Sequence, residues 1–191
     1  MKIGIIGAMN EEVVELKAVM SDIKSENIGN LEFFDGKLLG KDVILVEGGI
    51  GKVNAAICAT LMINHFKVDK VLFTGVAGGV NPDINIGDIV IGNDLIEHDF
   101  DSTAFGYELG QIPRMDTYIF KADQQLIDIA CDVAEKEFGK SKVCVGRIVS
   151  GDEFVASVER IKWLRDTFKA DCTEMEGAAV AHVCHVFNMP F

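Results

Sequence analysis

The chain has 191 residues, 49% of them hydrophobic and 25% charged, with 19 Gly and 3 Pro. That balance excludes a disordered chain, a collagen-like repeat and a low-complexity linker, and it suffices for one globular domain with a real core. Thirty acidic against 18 basic residues leave a formal net charge of −12, which argues against a general binder of nucleic acid, whose phosphates require a basic face. No apolar run approaches the roughly 18 residues of a membrane span, so no membrane partner is expected.

The opening Met1-Lys2-Ile3-Gly4-Ile5-Ile6-Gly7 has too short an apolar stretch for a signal peptide, and Glu11 and Glu12 follow at once. Ile3–Ile6 reads as a buried strand and Asn10–Met20 as a helix with an acidic first turn, which suits the helix dipole. Leu31–Leu39 and Asp42–Glu47 read as paired strands around Gly40-Lys41. Gly51–Phe66 follows a helical period through Val53, Ile57 and Leu61, and Lys70–Thr74 and Asp88–Ile96 read as short strands. Residues 98–121 show no period and are expected to form a long loop, the kind that usually serves function or an interface. An amphipathic helix over Ala122–Phe138, a strand over Lys142–Val149 and helices over Ser157–Phe168 and Glu176–Phe187 complete the chain.

Short apolar strands alternating with helices imply an α/β fold in one domain, 1–191: a central mixed β-sheet with helices on both faces. Cys58, Cys131, Cys144, Cys172 and Cys184 are odd in number and form no CxxC pair. Reduced thiols in a cytoplasmic protein are therefore expected.

Ligands in such folds sit where strands run out into helices, which directs attention to a few junctions. Gly7-Ala8-Met9-Asn10-Glu11-Glu12 lacks the GxGxxG of a dinucleotide site. Glu12 is either a ligand group beside a close backbone or a solvated carboxylate at a helix start. Gly48-Gly49-Ile50-Gly51-Lys52 is half of a phosphate loop, because Val53 stands where Ser or Thr is required, and a tight turn explains it equally. Thr74-Gly75-Val76-Ala77-Gly78-Gly79 offers backbone N–H groups to a polar ligand. In Ser150-Gly151-Asp152-Glu153-Phe154-Val155, Phe154 is suited to stack on a flat base or to fill a core, and Asp152 to brace the loop. Glu174-Met175-Glu176 sets two carboxylates at a strand–helix boundary, where they bind vicinal hydroxyls or simply match the helix start. His182 and His185, like His98 with Asp99 and Asp101, lack a matched third ligand, so no metal is expected.

Taken in order, Gly-Ala-Met-x-Glu-Glu, Gly-Ile-Gly-Lys-Val-Asn-Ala-Ala, Thr-Gly-x-Ala-Gly-Gly, Thr-Ala-Phe-Gly-Tyr-Glu-x-Gly-Gln, Val-Ser-Gly-Asp-x-Phe and Glu-Met-Glu closely resemble the 5′-methylthioadenosine/S-adenosylhomocysteine nucleosidases of the purine-nucleoside-phosphorylase-like superfamily. The resemblance spans essentially all of 1–191. It implies hydrolysis of the adenine–ribose bond of small-molecule adenine thionucleosides, without a cofactor, by a homodimer, in methionine salvage and methyl-cycle recycling. It assigns Glu12 to activate the attacking water, a general-base role worth ~10²–10⁴-fold. Glu176 would hold the ribose hydroxyls, with Met175 beside the sugar and Glu174 nearby. Val76, Ala77 and Gly78 would line the nucleoside site, Phe154 stack on adenine, the main chain at Val155 read the base edge, and Met9 and Ile50 flank the sugar and its 5′ side. Phe105 and Pro113 match loop positions that complete the partner's alkylthio pocket.

Related phosphorylases hold phosphate with arginines and a serine near the strand ending at Thr74. Here Phe73 and Val76 stand in those places and Glu11 and Glu12 lie opposite, so water is the expected nucleophile. A phosphate-dependent nucleoside phosphorylase is the alternative enzyme. The family also continues past Pro-Phe with a strand, an Asp that protonates adenine N7 and a final helix. Residues 1–191 contain none of these, so the domain is expected to be incomplete at its C-terminus. A nucleoside-binding protein inactive for want of that acid is the remaining alternative.

Overall fold

A computed structural model describes residues 1–191. Strand β1 (Lys2–Gly7) lies between β4 (Lys41–Glu47) and β5 (Lys70–Phe73), parallel to both. Antiparallel β3 (Leu31–Leu38) and then β2 (Met20–Ile28) extend the sheet on the β4 side. A second five-stranded sheet runs β6 (Gly78–Gly79), β10 (Cys172–Glu174), β9 (Val143–Ser150), β7 (Ile89–Glu97) and β8 (Phe120–Lys121). Both sheets are mixed, as expected, but the strands divide into two hydrogen-bonded sheets rather than one.

Alternation along the strands sends side chains to two covered faces. Ile5, Val43 and Leu45 pack with Val13 of helix α1 (Asn10–Ala18) on one face. Ile6, Ile44 and Val46 face α2 (Lys52–Asn64) and α5 (Gly177–Val186) on the other, through Ala55, Cys58, Ala59, Met62, Ala179 and Val180. In the second sheet Ile96 and Val149 pack with Leu164 and Phe168 of α4 (Val158–Phe168), while Leu95 and Phe120 pack with Ala178 and Ala181 of α5. Helix α5 thus serves both sheets, and its Ala-rich sequence allows the close approach. Helix α3 (Gln124–Phe138) is capped by Asp123, whose side chain accepts from Leu126 N–H, and α4 likewise by Ser157, which accepts from Arg160 N–H.

One element departs from the sequence reading for a physical reason, and the long loop forms as expected. The first helix stops at Ala18, and Met20–Ile28 is an edge strand exposed along most of its length. Its polar residues carry no inward period, and its pairing with β3 comes from the neighbour's backbone. Segment 98–121 is largely loop, with one 3-10 turn at Thr103–Phe105 and the two residues of β8 at its end. Its start is held by Gly110 N–H donating to Phe100 O (2.8 Å).

Candidate active site

The ends of β1, β4, β5, β9 and β10 converge on one crater. Pairing continues past the ends of β1 and β4, where Gly48 N–H donates to Gly7 O (2.7 Å) and Gly49 N–H to Ala8 O (2.9 Å). This brings the first two glycine-containing junctions side by side.

Glu12 lies in the first turn of α1 and points back over the loop that precedes it. Its Oε2 accepts from Ala8 N–H (2.7 Å) and Met9 N–H (3.0 Å), and its Oε1 from Val76 N–H (3.0 Å). Three backbone donors from two loops therefore aim one carboxylate, a charge-assisted arrangement that fixes its direction. Gly75 leaves room for this carboxylate, since a Cβ there would stand 2.7 Å from Glu12 Oε1 and push it aside.

Glu176 stands just before α5 and is 7% exposed. Its Oε1 accepts from Gly51 N–H (2.7 Å). Burial raises the Glu176 carboxyl above its ordinary range; the Gly51 N–H opposes this, and the negative charge of Glu12 adds to it. The charge of Glu12 is thus near enough to act on Glu176. Gly51 itself has φ 97°, and a Cβ on it would lie 3.0 Å from Asp152 Oδ1, so this turn demands glycine.

Glu174 turns inward. Its Oε2 accepts from Glu176 N–H (2.8 Å) and Gly177 N–H (2.7 Å), and its Oε1 is bonded by the Ser150 hydroxyl, which in turn accepts from Ala178 N–H (2.7 Å). Both oxygens are used by the protein, so Glu174 shapes the start of α5 and with it the backbone of Glu176. Burial pushes its carboxyl up to about 7, against the pull of these donors.

The remaining expected positions divide by exposure. Phe154 (84%), Val76 (70%) and Ile50 (54%) are exposed apolar side chains on the rim. Ala77, in the turn after β5, and Gly78, the first residue of β6, are exposed, while Met9, Val155 and Met175 are half-buried. Phe105 (83% exposed) and half-buried Pro113 lie in the 98–121 loop.

The sequence reading named Lys52 only as part of a broken phosphate loop and paired His98 with Asp99 as a metal thought. In the fold, Lys52 Nζ donates to Glu97 Oε2 (3.0 Å) and Asp99 Oδ1 (2.7 Å). Glu97 Oε1 lies 2.8 Å from His182 Nδ1, and the His182 ring stacks on Phe120 at 4.7 Å. Lys52 N–H donates to Asp152 Oδ1 (2.8 Å), and Asp152 N–H to Asp99 Oδ2 (2.9 Å). Asp152 braces its loop, as its position after β9 suggested. The other partners lie too far along the chain for spacing to pair them.

The fold and these junctions define a member of the phosphorylase superfamily, whose family model matches residues 2–191. Similarity is high and nearly end to end. The 5′-methylthioadenosine/S-adenosylhomocysteine nucleosidase of Staphylococcus haemolyticus is 45% identical over 190 residues, covering 99% of this chain and 82% of the relative. The crystal structure of the Neisseria meningitidis nucleosidase of the same name, in complex with methylthio-immucillin-A, superposes with a TM-score of 0.94 at 40% identity, covering 100% of this chain and 82% of that one. A Helicobacter pylori futalosine hydrolase matches with a TM-score of 0.93 at 39% identity, over 100% of this chain and 81% of that one. The chain belongs to the 5′-methylthioadenosine/S-adenosylhomocysteine nucleosidase family.

Proposed function

We propose that the crater hydrolyses the N-glycosidic bond of 5′-methylthioadenosine and S-adenosylhomocysteine, releasing adenine and a 5-thio-substituted ribose. The observation that carries this reading is the pair of carboxylates, Glu12 and Glu176, near enough for the charge of one to act on the other and each held by main-chain donors from neighbouring strand-end loops. Such a pair suits a reaction whose transition state puts positive charge on the sugar, because fixed negative groups offset that charge without reorganising. Glu12 takes one proton from water as its oxygen bonds to C1′, and the C1′–N9 electron pair leaves with the base as an anion, which takes a proton from solvent to become adenine. Glu176 accepts hydrogen bonds from the ribose hydroxyls. Phe154 stacks on the base beside the Val155 main chain. Val76, Ala77 and Gly78 border the nucleoside, and Met9, Ile50 and Met175 give the sugar and its thioether an apolar wall.

We further propose a single domain over 1–191 that works as a homodimer. Val53 and Ile57, one helical turn apart on α2, are 69% and 47% exposed and form an apolar face with Ala56, Thr60 and Leu61. Phe105 and Pro113 would then complete the partner's 5′ pocket. The five free cysteines suit a reducing cytoplasm, where thionucleoside recycling for methionine salvage takes place.

The test is adenine release from methylthioadenosine and adenosylhomocysteine, with and without inorganic phosphate. Release independent of phosphate is expected; a phosphate requirement overturns the hydrolytic reading in favour of phosphorolysis. The likeness to a futalosine hydrolase makes futalosine part of the same panel, since fold alone does not select the substrate.

A further inference from the structure

We infer that Lys52 is a positioning residue, a half-buried cationic clamp that sets the loop bearing Phe154 relative to the turn and helix start that hold Glu176. The inference rests on the proposed function for its kinetic consequences, though not for its structural ones. The Lys52 ammonium bridges Glu97 and Asp99 at the end of β7, and its side chain is only 17% exposed, against 10% and 25% for the two carboxylates. Burial alone would lower the Lys52 ammonium, yet the bonds to Asp99 and Glu97 outweigh it and hold the group above its ordinary range. The same two carboxylates, which burial would raise, are held below their ordinary range: Glu97 by His182 and Lys52, Asp99 by Lys52 and the Asp152 N–H. The cluster is therefore a charged one at neutral pH, with each member needed by the next.

Four segments meet on it. The backbone next to the ammonium is the start of α2, where Gly51 N–H holds Glu176 and Lys52 N–H holds Asp152. Asp99 closes a ring by accepting Asp152 N–H, two residues before Phe154. Glu97 ties the ring to α5 through His182, and Glu176 immediately precedes that helix. Arg160 adds a second pin to the same loop, donating to Glu153 Oε2 (2.7 Å) while it lies 4.0 Å over Trp163. Without the ammonium, Glu97 and Asp99 repel, the Asp99–Asp152 bond loosens, and the loop bearing Phe154 moves independently of Gly51 and Glu176. Glu12 stands outside the ring, since its three donors are Ala8, Met9 and Val76. The clamp is thus built to govern nucleoside binding more than activation of water.

The test compares Lys52→Met, Lys52→Arg and Asp99→Asn in the intact chain, by steady-state kinetics on methylthioadenosine and by amide hydrogen exchange. Lys52→Met is expected to raise KM by on the order of 10- to 100-fold, the scale of a displaced binding group, while kcat changes far less. Exchange should quicken locally at 51–52 and 151–156 and not in β1 or β4. Lys52→Arg should recover most of the KM. Asp99→Asn, which leaves the Lys52–Glu97 pair in place, should quicken exchange at 151–156 alone, and it decides the matter if Lys52→Met does not fold. Unchanged exchange at 151–156 in the folded variants overturns the clamp, as does a uniform rise across the molecule, which marks a purely structural lysine. If the unaltered protein releases no adenine, the proposed function fails on its own, and the exchange pattern still decides the clamp.

Discussion

Glu12 and Val76 are 64 residues apart in sequence and joined by one hydrogen bond, Val76 N–H to Glu12 Oε1 at 3.0 Å. Because Oε2 is occupied by Ala8 and Met9 N–H groups, an amide at this position always turns its NH₂ toward at least one backbone donor. Glu12→Gln should therefore remove the base and misdirect the side chain, lowering kcat by about 10²–10⁴-fold. Gly75→Ala should act by displacement alone, since the new methyl would stand 2.7 Å from the same oxygen. Both are checked by adenine release together with equilibrium binding of a non-hydrolysable nucleoside. Full turnover in Glu12→Gln would rule Glu12 out as the base.

Phe154 is 84% exposed, so its ring stabilises little of the fold. Phe154→Ala should leave the melting temperature unchanged. Base–aromatic stacking of about 1–3 kcal/mol would appear as a KM roughly 5- to 150-fold higher. A melting temperature that falls while KM stays constant would make Phe154 a packing residue instead.

Ile57 lies 47% exposed in the middle of the apolar face of α2, with Val53 one turn before it. A carboxylate there would be buried unpaired in a self-complementary contact, at a cost such contacts do not tolerate. Ile57→Asp should give a monomer by light scattering without loss of helical content, and adenine release should fall with the dimer fraction. A monomer with full activity would separate Phe105 and Pro113 from the pocket.

What could be read from the residues follows from the range of the forces involved. The buried strands and the amphipathic α3 were legible because their apolar periods are local. The glycine junctions were legible because a tight strand–helix turn limits what can stand there, and Gly51 at φ 97° bears this out. Edge strand β2 was not, since residues such as Asp22, Lys24 and Glu26 face solvent and its register is supplied by β3. Lys52 was not legible as a hub, because its carboxylate partners lie 45 and 47 residues away and nothing in their spacing links them. Glu174 and Glu176 look alike in sequence. Only the position of Ser150 beneath α5 separates an inward-turned carboxyl from one facing the crater.

That separation has a consequence for stability. Burial raises the Glu174 carboxyl from an ordinary 4.5 to about 7. Below pH 4.5 the group is protonated in both folded and unfolded chains. Between 4.5 and 7 the unfolded chain has released the proton while the folded chain keeps it, so stability falls as pH rises; above 7 both are ionised and the loss is complete. The full loss is on the order of 3 kcal/mol. Glu174→Gln mimics the neutral acid. Its carbonyl can accept from Glu176 and Gly177 N–H, and its NH₂ can donate to Ser150 Oγ, which still accepts from Ala178 N–H. Urea unfolding of both proteins from pH 4.5 to 8 should show the variant gaining on the parent across that interval, with the gain levelling off above pH 7. Parallel profiles would mean that Glu174 ionises in the folded protein as freely as it does in water.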